Sequence, residues 1–271
     1  VYVDGALVGK GTLISTPQRF DLSASLTPGT HELAIMVDNG SGVPEQVYQS
    51  SHAYTESTQT NWNGILGRME LQIREMCYPE NLQIKAQTPE AVTVTARIHK
   101  GTICEENSGV AKVIIRRSTG EVLHEGEYSY ADGYLEVTLA LTGQDLLWDE
   151  YHLNLLQAEV LVGTEAVSTR FGIRKLSHEG RKLLINDKQV FWRGKNDGLT
   201  FPCTGYAPMT VEEWKQVFAT VKEYGINHYR FHTCCPPEAA FAAADEMGIY
   251  MEPELPFWGS ILTPEEEGFN G

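Results

Sequence analysis

The sequence predicts a multidomain protein in which two β-sheet regions precede the start of an alternating βα region. Up to about residue 174, short strands of alternating apolar and polar residues are separated by turn residues, which is typical of antiparallel sheets. After residue 175, helical periodicity appears for the first time, and helices then alternate with strands, which is typical of parallel sheets. The three predicted regions are 1–73, 74–174 and 175–271.

The first region is predicted to be part of a β-sheet domain. "VYVDGALVG" alternates apolar and polar residues around Asp4-Gly5, a dipeptide that favours a two-residue hairpin turn. "HELAIMVDN" (31–39) and "TNWNGILGRMELQI" (60–73) also have strand character, and a polar loop (40–60) joins them. Because Val1 already lies in a hairpin, we expect earlier strands of this sheet to precede it.

The second region is a run of short strands with turn residues between them. Six strands are predicted: "NLQIKAQ", "AVTVTARIHK", "AKVIIRRS", "YLEVTLAL", "YHLNLLQAEVLVG" and "VSTRFGI". A segment of about a hundred residues with this pattern suits an immunoglobulin-like β-sandwich. No cluster of catalytic residue types occurs in it, so it is predicted to be a spacer.

The third region starts with a hairpin whose turn is Asn186-Asp187, followed by a strand that ends in "RGKND". Thr210 and Glu213 form a capping box that begins a helix, and Gly225 is placed to end it. The apolar face of this helix is predicted to contain Trp214, Val217, Val221 and Tyr224.

Two further strands and a second helix follow. "INHYRFH" (226–232) is a predicted strand, Pro236-Pro237 open the helix, Gly248 ends it, and "IYMEPE" is the next strand. The second helix is predicted to carry Phe241, Ala244 and Met247 on its apolar face. This alternation implies parallel strands with right-handed crossovers. An eight-stranded barrel and a doubly wound sheet both begin in this way.

Composition narrows the classes of partner. A net charge of −15 argues against nucleic acids and anionic membranes as partners, but not against one acidic sugar held by local arginines. No run of about 18 apolar residues predicts a membrane span. The five cysteines are spaced unlike a disulfide scaffold or a zinc site, so no metal or cofactor is predicted. Cys234-Cys235 has no evident base partner and is predicted to be unreactive.

Polar residues lie where the predicted parallel strands end, which is where βα folds carry their function. The candidate substrate-binding residues are Asn196, Asp197, Arg230, His232 and Glu254. Arg230 and His232 share a strand face, an arrangement that suits either a sugar contact or a structural ion pair. His228 and His232 are about 13 Å apart on an extended strand, so they cannot share a metal ion.

Glu252 and Glu254 look at first like the paired carboxylates of a glycosidase. On one strand their Cα atoms are about 6.5–7 Å apart, a spacing near that of catalytic carboxyl pairs. Two side chains from one strand stand side by side, however, whereas a catalytic pair flanks the bond that it cleaves. The pair is therefore predicted not to be catalytic, and Glu254 is the better candidate for a binding or supporting carboxylate.

Five segments, in this order, resemble the family 2 glycoside hydrolases. They are the run from "VYVDGALVG" to "HELAIMVDN", then "NWNGILGRMEL", "STRFGIRKL", "LLINDKQVFWRGKND" and "GINHYRFHTCCPPEAAFAAADEMGIYMEPE". The resemblance implies a partial jelly-roll sugar-binding domain, an immunoglobulin-like β-sandwich and the first three βα units of a TIM barrel. Arg230 matches the family pattern, whereas His232 stands where the family has a serine and Thr233 where it has a histidine.

The resemblance also implies an activity, which is retaining hydrolysis of terminal glycosidic bonds by a β-galactosidase-like exo-glycosidase. The family's acid/base follows the fourth barrel strand in an Asn-Glu dipeptide, and its nucleophile is on the seventh. Both catalytic residues are expected downstream of Gly271, so the chain by itself is expected to be inactive. A secreted or periplasmic parent would suit an enzyme that degrades polysaccharides.

Two alternatives remain open at this point. The chain is alternatively a non-catalytic carbohydrate-binding or adhesive β module, or a structural spacer whose folded part is the middle sandwich. An incomplete barrel exposes strand edges, which predicts either association into a homo-oligomer or completion by further residues.

Overall fold

The described part of the chain is mostly β-sheet with few helices. A computed structural model describes residues 1–13, 16–38, 64–65, 67–100, 108–143 and 145–255. Sixteen strands and two helices lie within these ranges. Neither of these two helices is long and apolar enough to cross a membrane.

A small antiparallel sheet occupies the start of the chain. Its strands are β1 (Tyr2–Val3), β2 (Ala6–Leu7) and β3 (Leu33–Ala34), in the order β2-β1-β3. Asp4 and Gly5 have φ angles of 49° and 80°, which are the positive values that a tight hairpin turn requires, so the predicted hairpin is confirmed.

The strand predicted at 60–73 is wrong for those of its residues that the structure describes. Residues 64–65 and 67–73 contain no strand, and Ile73 is 92% exposed. Within the described ranges no strand pairs with this segment, and a strand without a partner leaves its backbone groups unpaired. The predicted loop 40–60 and Trp62 lie outside the described residues.

The middle of the chain folds into two antiparallel sheets. The strands are β4 (Cys77–Thr88), β5 (Ala91–Lys100), β6 (Gly109–Arg117), β7 (Val122–Tyr130), β8 (Tyr134–Leu139), β9 (Leu155–Val162) and β10 (Glu165–Gly172). One sheet has the order β4-β5-β8 and the other the order β10-β9-β6-β7. Alternate residues of both sheets, such as Val94 in β5, Val113 in β6 and Val160 in β9, are fully buried in one shared core.

The six strands predicted here are all present, and β7 is an additional one. Strand β7 lies at the edge of its sheet, pairs with β6 and has one buried residue, Tyr130. Because the rest of the strand is not buried, its sequence, "VLHEGEYSY", contains few aliphatic residues. The two packed sheets agree with a sandwich. Their immunoglobulin-like identity stays a prediction.

The last part of the chain contains an antiparallel hairpin sheet and a parallel sheet. The first consists of β11 (Leu176–Glu179), β12 (Lys182–Ile185) and β13 (Lys188–Gln189). The second follows as β14 (Gly194–Asp197), α1 (Val211–Glu223), β15 (His228–Phe231), α2 (Glu238–Met247) and β16 (Tyr250–Pro253). All three of these strands are parallel, as the alternation predicted, and their order is β14-β15-β16.

Helix α1 begins and ends where the sequence predicted. The capping box of Thr210 and Glu213 is formed, and Gly225, with φ of 73°, follows the last turn. The predicted apolar face is partly wrong, because Tyr224 lies beyond the helix and is 81% exposed, whereas Phe218 is fully buried.

Helix α2 starts after Pro237 and ends at Gly248, which has the left-handed conformation of a C-terminal cap. Its buried face consists of alanines: Ala240, Ala243 and Ala244. Phe241 and Met247 are only partly buried. The small side chains let α2 pack closely beside α1 and the parallel sheet.

Trp148 joins the sandwich to the βα region. It is 1% exposed, and its indole Nε1 donates a hydrogen bond of 2.9 Å to the carbonyl of Asp245 in α2. The Tyr250 ring of β16 meets it edge-on, with 5.7 Å between the ring centroids. The guanidinium of Arg174 lies 5.3 Å from the centre of the indole. The two regions therefore share a buried contact.

Polar groups extend this contact. The Glu150 carboxylate accepts two hydrogen bonds of 3.0 Å from Asn227 Nδ2, and Arg193 lies 3.7 Å from it. Asn227 Oδ1 in turn accepts from the backbone N–H of Arg193 at 2.8 Å. The loop after Trp148 thus holds the segments that lead into β14 and β15.

We expect Gly248→Ala to destabilise the protein more than Gly225→Ala does. Both glycines follow a helix with φ near 70°, where any L-residue costs about 1–2 kcal/mol. A Cβ on Gly248 would lie 2.8 Å from the carbonyl oxygen of Glu150, whereas a Cβ on Gly225 would meet no atom closer than 4.0 Å. Urea unfolding of both variants measures the difference, and equal midpoints would contradict the close contact.

Candidate functional site

The parallel sheet places three polar residues in register. Asn196 pairs with Arg230, and Arg230 pairs with Glu252, so all three project from the same face. His232 and Glu254 follow this alternation just beyond the strand ends. The opposite face carries Tyr229 and its neighbours, which are buried against the helices.

Arg230 is the centre of the site. Its Nη1 donates to Asn196 Oδ1 at 2.7 Å, and its Nη2 lies 3.0 Å from His232 Nδ1 and forms an ion pair with Glu254. Its Nε is 3.9 Å from a carboxylate oxygen of Glu252. Four of the five predicted site residues are therefore brought together, with Glu252 beside them. Their role in binding substrate stays a prediction.

Glu254 is held in one orientation by the backbone. Its Oε2 accepts a hydrogen bond of 2.7 Å from the N–H of Thr233 and lies 3.3 Å from His232 Nδ1. Partial burial raises the pKa of Glu254, but the hydrogen bonds from Thr233 and Arg230 outweigh it, so the pKa lies below its ordinary value of 4.5. The carboxyl is thus ionised at neutral pH and is a poor proton donor.

Sequence reasoning missed the contribution of Thr233. This residue is 1% exposed and has a φ of 54°, a conformation that is rare for a β-branched residue. The left-handed backbone turns its N–H toward Glu254. The sequence carries no signal for this conformation, since glycine and asparagine are the residues that usually indicate it.

The side chain of Asp197 does not join those of the other four residues, although its backbone carbonyl accepts a hydrogen bond of 2.7 Å from the N–H of His232. It lies on the helix side of the sheet, where its carboxylate accepts from Tyr229 Oη at 2.5 Å and from the backbone N–H of Leu199 at 2.7 Å. Lys195 forms an ion pair with it on the same side. Its side chain is 9% exposed, so these contacts fix the turn after β14.

A cavity that shares Glu252 with the cluster around Arg230 lies at the start of the parallel strands. It has a volume of about 160 Å³ and is lined by Arg174, Leu176, Ile185, Trp192, His228, Tyr250, Met251 and Glu252. The Trp192 and His228 rings stack with centroids 4.9 Å apart, and His228 Nε2 lies 3.0 Å from Glu252. Burial lowers the pKa of His228, although the Glu252 carboxylate acts to raise it. The lowered pKa favours the neutral ring.

Neither Cys234 nor Cys235 has the lowered pKa of a reactive thiol. Burial raises the pKa of Cys234 to about 12 and also raises the pKa of Cys235, so neither thiol is poised to ionise. In the described ranges no three His, Cys, Asp or Glu side chains converge as metal ligands do.

The lowered pKa of Glu254 predicts that the stability of the fold depends on pH. Because its pKa is lower in the folded chain than in the unfolded chain, the unfolded state binds more protons in the acid range. The stabilisation is fully present above the ordinary pKa of 4.5 and is lost as the pH falls through the folded-state value. We expect Glu254→Gln to flatten this part of the stability curve. Urea unfolding between about pH 3 and pH 7, the range in which carboxyl groups titrate, measures the free energy of unfolding against pH. The same slope in the variant and the unaltered chain would contradict the lowered pKa of Glu254.

The chain is similar in sequence to a known glycosidase. No family model matches the chain. A β-galactosidase from Arthrobacter sp. (strain B7) is 22% identical over 252 residues, which are 93% of this chain and 23% of that protein. The chain therefore spans about a quarter of the length of that relative.

Solved structures agree in fold. A glycosyl hydrolase family 2 member from Bacteroides cellulosilyticus matches with a TM-score of 0.55 and 17% identity, over 66% of this chain and 25% of that one. A β-glucuronidase from Ruminococcus gnavus matches with a TM-score of 0.50 and 22% identity, over 66% of this chain and 30% of that one. The chain is therefore similar in sequence to a β-galactosidase and in fold to a family 2 glycosyl hydrolase, which agrees with the resemblance of its motifs.

Proposed function

We propose that the chain is part of a retaining exo-glycosidase that hydrolyses terminal O-glycosidic bonds, as a β-galactosidase does. Its own contribution is to bind the terminal sugar through Asn196, Arg230, His232 and Glu254. The observation that carries this proposal is the Arg230-centred cluster at the carboxyl ends of three parallel strands, where βα enzymes bind substrate. Amide, guanidinium and carboxylate groups together offer the donors and acceptors that sugar hydroxyls need.

The same proposal assigns a role to each region. Residues 1–73 belong to a jelly-roll domain, 74–174 form an immunoglobulin-like spacer, and 175–271 begin a TIM barrel. The parallel order β14-β15-β16 with helices on one face supports the barrel assignment. The buried contact of Trp148 with α2 supports a spacer that holds the barrel in a fixed orientation.

The carboxylates of this cluster are assigned to binding rather than to bond cleavage. A general acid needs a raised pKa to hold its proton at neutral pH, and the pKa of Glu254 is lowered. Glu252 and Glu254 both contact Arg230 from one side, so they do not flank a position for a glycosidic bond.

We expect the 271-residue chain to bind simple sugars without hydrolysing them. Methyl β-galactoside should shift the NMR signals of Arg230 and Glu254 side chains, while nitrophenyl glycosides should release no nitrophenol above a matched blank. Sugar-induced shifts confined to the first region would favour a carbohydrate-binding module instead. Hydrolysis by the chain would contradict the assignment of its carboxylates to binding.

A further inference from the structure

We propose that the Arg230 cluster selects an uncharged terminal sugar and rejects a uronic acid, a selectivity that rests on the proposed function. The two kinds of sugar differ at C6, which carries a hydroxymethyl group in one and a carboxylate in the other. A site that selects the carboxylate needs a cation whose hydrogen-bond donors are available to it.

Three of the five N–H donors of Arg230 are already engaged. Nη2 donates toward Glu254 and His232, and Nη1 donates to Asn196. A guanidinium binds a carboxylate in a bidentate way through two parallel N–H groups on neighbouring nitrogens. In Arg230 each such pair of nitrogens includes Nη2, and the pair with Nε also faces Glu252. Bidentate binding of a uronate carboxylate would therefore require Glu254 or Glu252 to leave Arg230.

The charges of the cluster also oppose a third carboxylate, that of the sugar. One guanidinium faces the two carboxylates of Glu252 and Glu254, which leaves a formal excess of one negative charge. Lys195 does not correct this excess, because it pairs with Asp197 on the helix side of the sheet. A sugar carboxylate brought to this face meets like charges at short range.

An uncharged sugar meets the opposite situation. Ionised carboxylates only accept hydrogen bonds, and every hydroxyl of a sugar can donate one. Glu252 is 51% exposed; its Oε2 lies 3.0 Å from His228 Nε2, and its Oε1, 3.9 Å from Arg230 Nε, is the oxygen accessible to such hydroxyls. The arrangement that repels a uronate is thus the one that binds a neutral sugar.

The test uses the 271-residue chain and two matched pairs of ligands. Methyl β-galactoside is compared with methyl β-galacturonide, and methyl β-glucoside with methyl β-glucuronide, by NMR titration at low salt. We expect at least one neutral sugar to bind about tenfold or more tightly than its uronide, the effect of roughly 1.4 kcal/mol of repulsion. Added salt should reduce the difference, because it screens exposed charges.

A variant separates charge from shape. Glu252→Gln should bring the affinity for the uronides closer to that for the neutral sugars, whereas Glu223→Gln, on the exposed end of α1, should leave the ratio unchanged. Equal or tighter uronide binding by the unaltered chain would overturn this inference and leave the proposed function in place. Absence of binding by all four sugars would overturn both.

Discussion

Replacing Trp148 by alanine is expected to lower the free energy of unfolding by about 3–5 kcal/mol, the usual cost of deleting a buried aromatic side chain. The indole is 1% exposed and forms the centre of the contact between the sandwich and the βα region. Its loss opens a cavity beside Tyr250 and Ile185 and removes the donor to the carbonyl of Asp245. No neighbouring side chain can fill that volume without leaving its own packing.

Two further variants make the Trp148 result interpretable. Tyr151→Ala alters the same loop at a side chain that is 77% exposed, and it should change stability by no more than about 0.5 kcal/mol. Trp148→Phe keeps an aromatic ring but deletes the N–H, so its cost should lie between the two. Urea unfolding followed by circular dichroism avoids the loss of a fluorophore. A Trp148→Ala midpoint equal to that of Tyr151→Ala would show that the contact does not stabilise the fold.

Local signals explain why much of the fold follows from the sequence. Asp4-Gly5 and Asn186-Asp187 adopt the positive φ angles of tight turns. The capping box at the start of α1 and Gly248 at the end of α2 fix helix ends within one or two residues. Each of these features depends on residues that are close in the chain, so single-sequence reasoning reaches them.

Features that depend on residues far apart in the chain were harder to predict from the sequence. The strand predicted at 60–73 has the right residue pattern, but residues 64–65 and 67–73 are not a strand, and pairing with a neighbour decides that outcome. The edge strand β7 was missed because exposure at an edge removes the apolar alternation that marks a strand. The packing of Trp148 against α2 joins residues nearly a hundred positions apart.

The candidate site shows the same division. Parallel strands in register explain why Asn196, Arg230 and Glu252 converge, and the parallel direction of the strands was predictable from the βα alternation. Adjacent residues on a strand point to opposite faces, so the alternation itself could have separated Asp197 from Asn196. The left-handed backbone of Thr233, which orients Glu254, has no counterpart in the sequence pattern.

Replacing Arg230 by alanine is expected to reduce sugar affinity by about 10- to 100-fold, which corresponds to the roughly 1.5–3 kcal/mol of a hydrogen bond to a charged group. The guanidinium is the group that holds Asn196, His232 and Glu254 in one arrangement. Without it, Glu252 and Glu254 are left as neighbouring carboxylates with no shared cation, and Glu254 is held by Thr233 and His232 without its ion pair. The loss therefore combines a missing sugar contact with a less fixed set of acceptors.

The same variant has a consequence that separates a binding role from a purely structural one. Burial raises the pKa of Glu254, and Arg230 is among the groups that lower it, so the pKa should rise when the guanidinium is removed. Carboxyl NMR titration measures this change, and Arg181→Ala, at an exposed position of the β11–β12 hairpin, should leave both the pKa and the sugar affinity unaltered. If Arg230→Ala raises the pKa but leaves sugar affinity intact, Arg230 only neutralises Glu254. Because Asn196, His232 and Glu254, which we propose to bind the sugar, all contact that guanidinium, such a result would move the sugar site away from the ends of β14, β15 and β16.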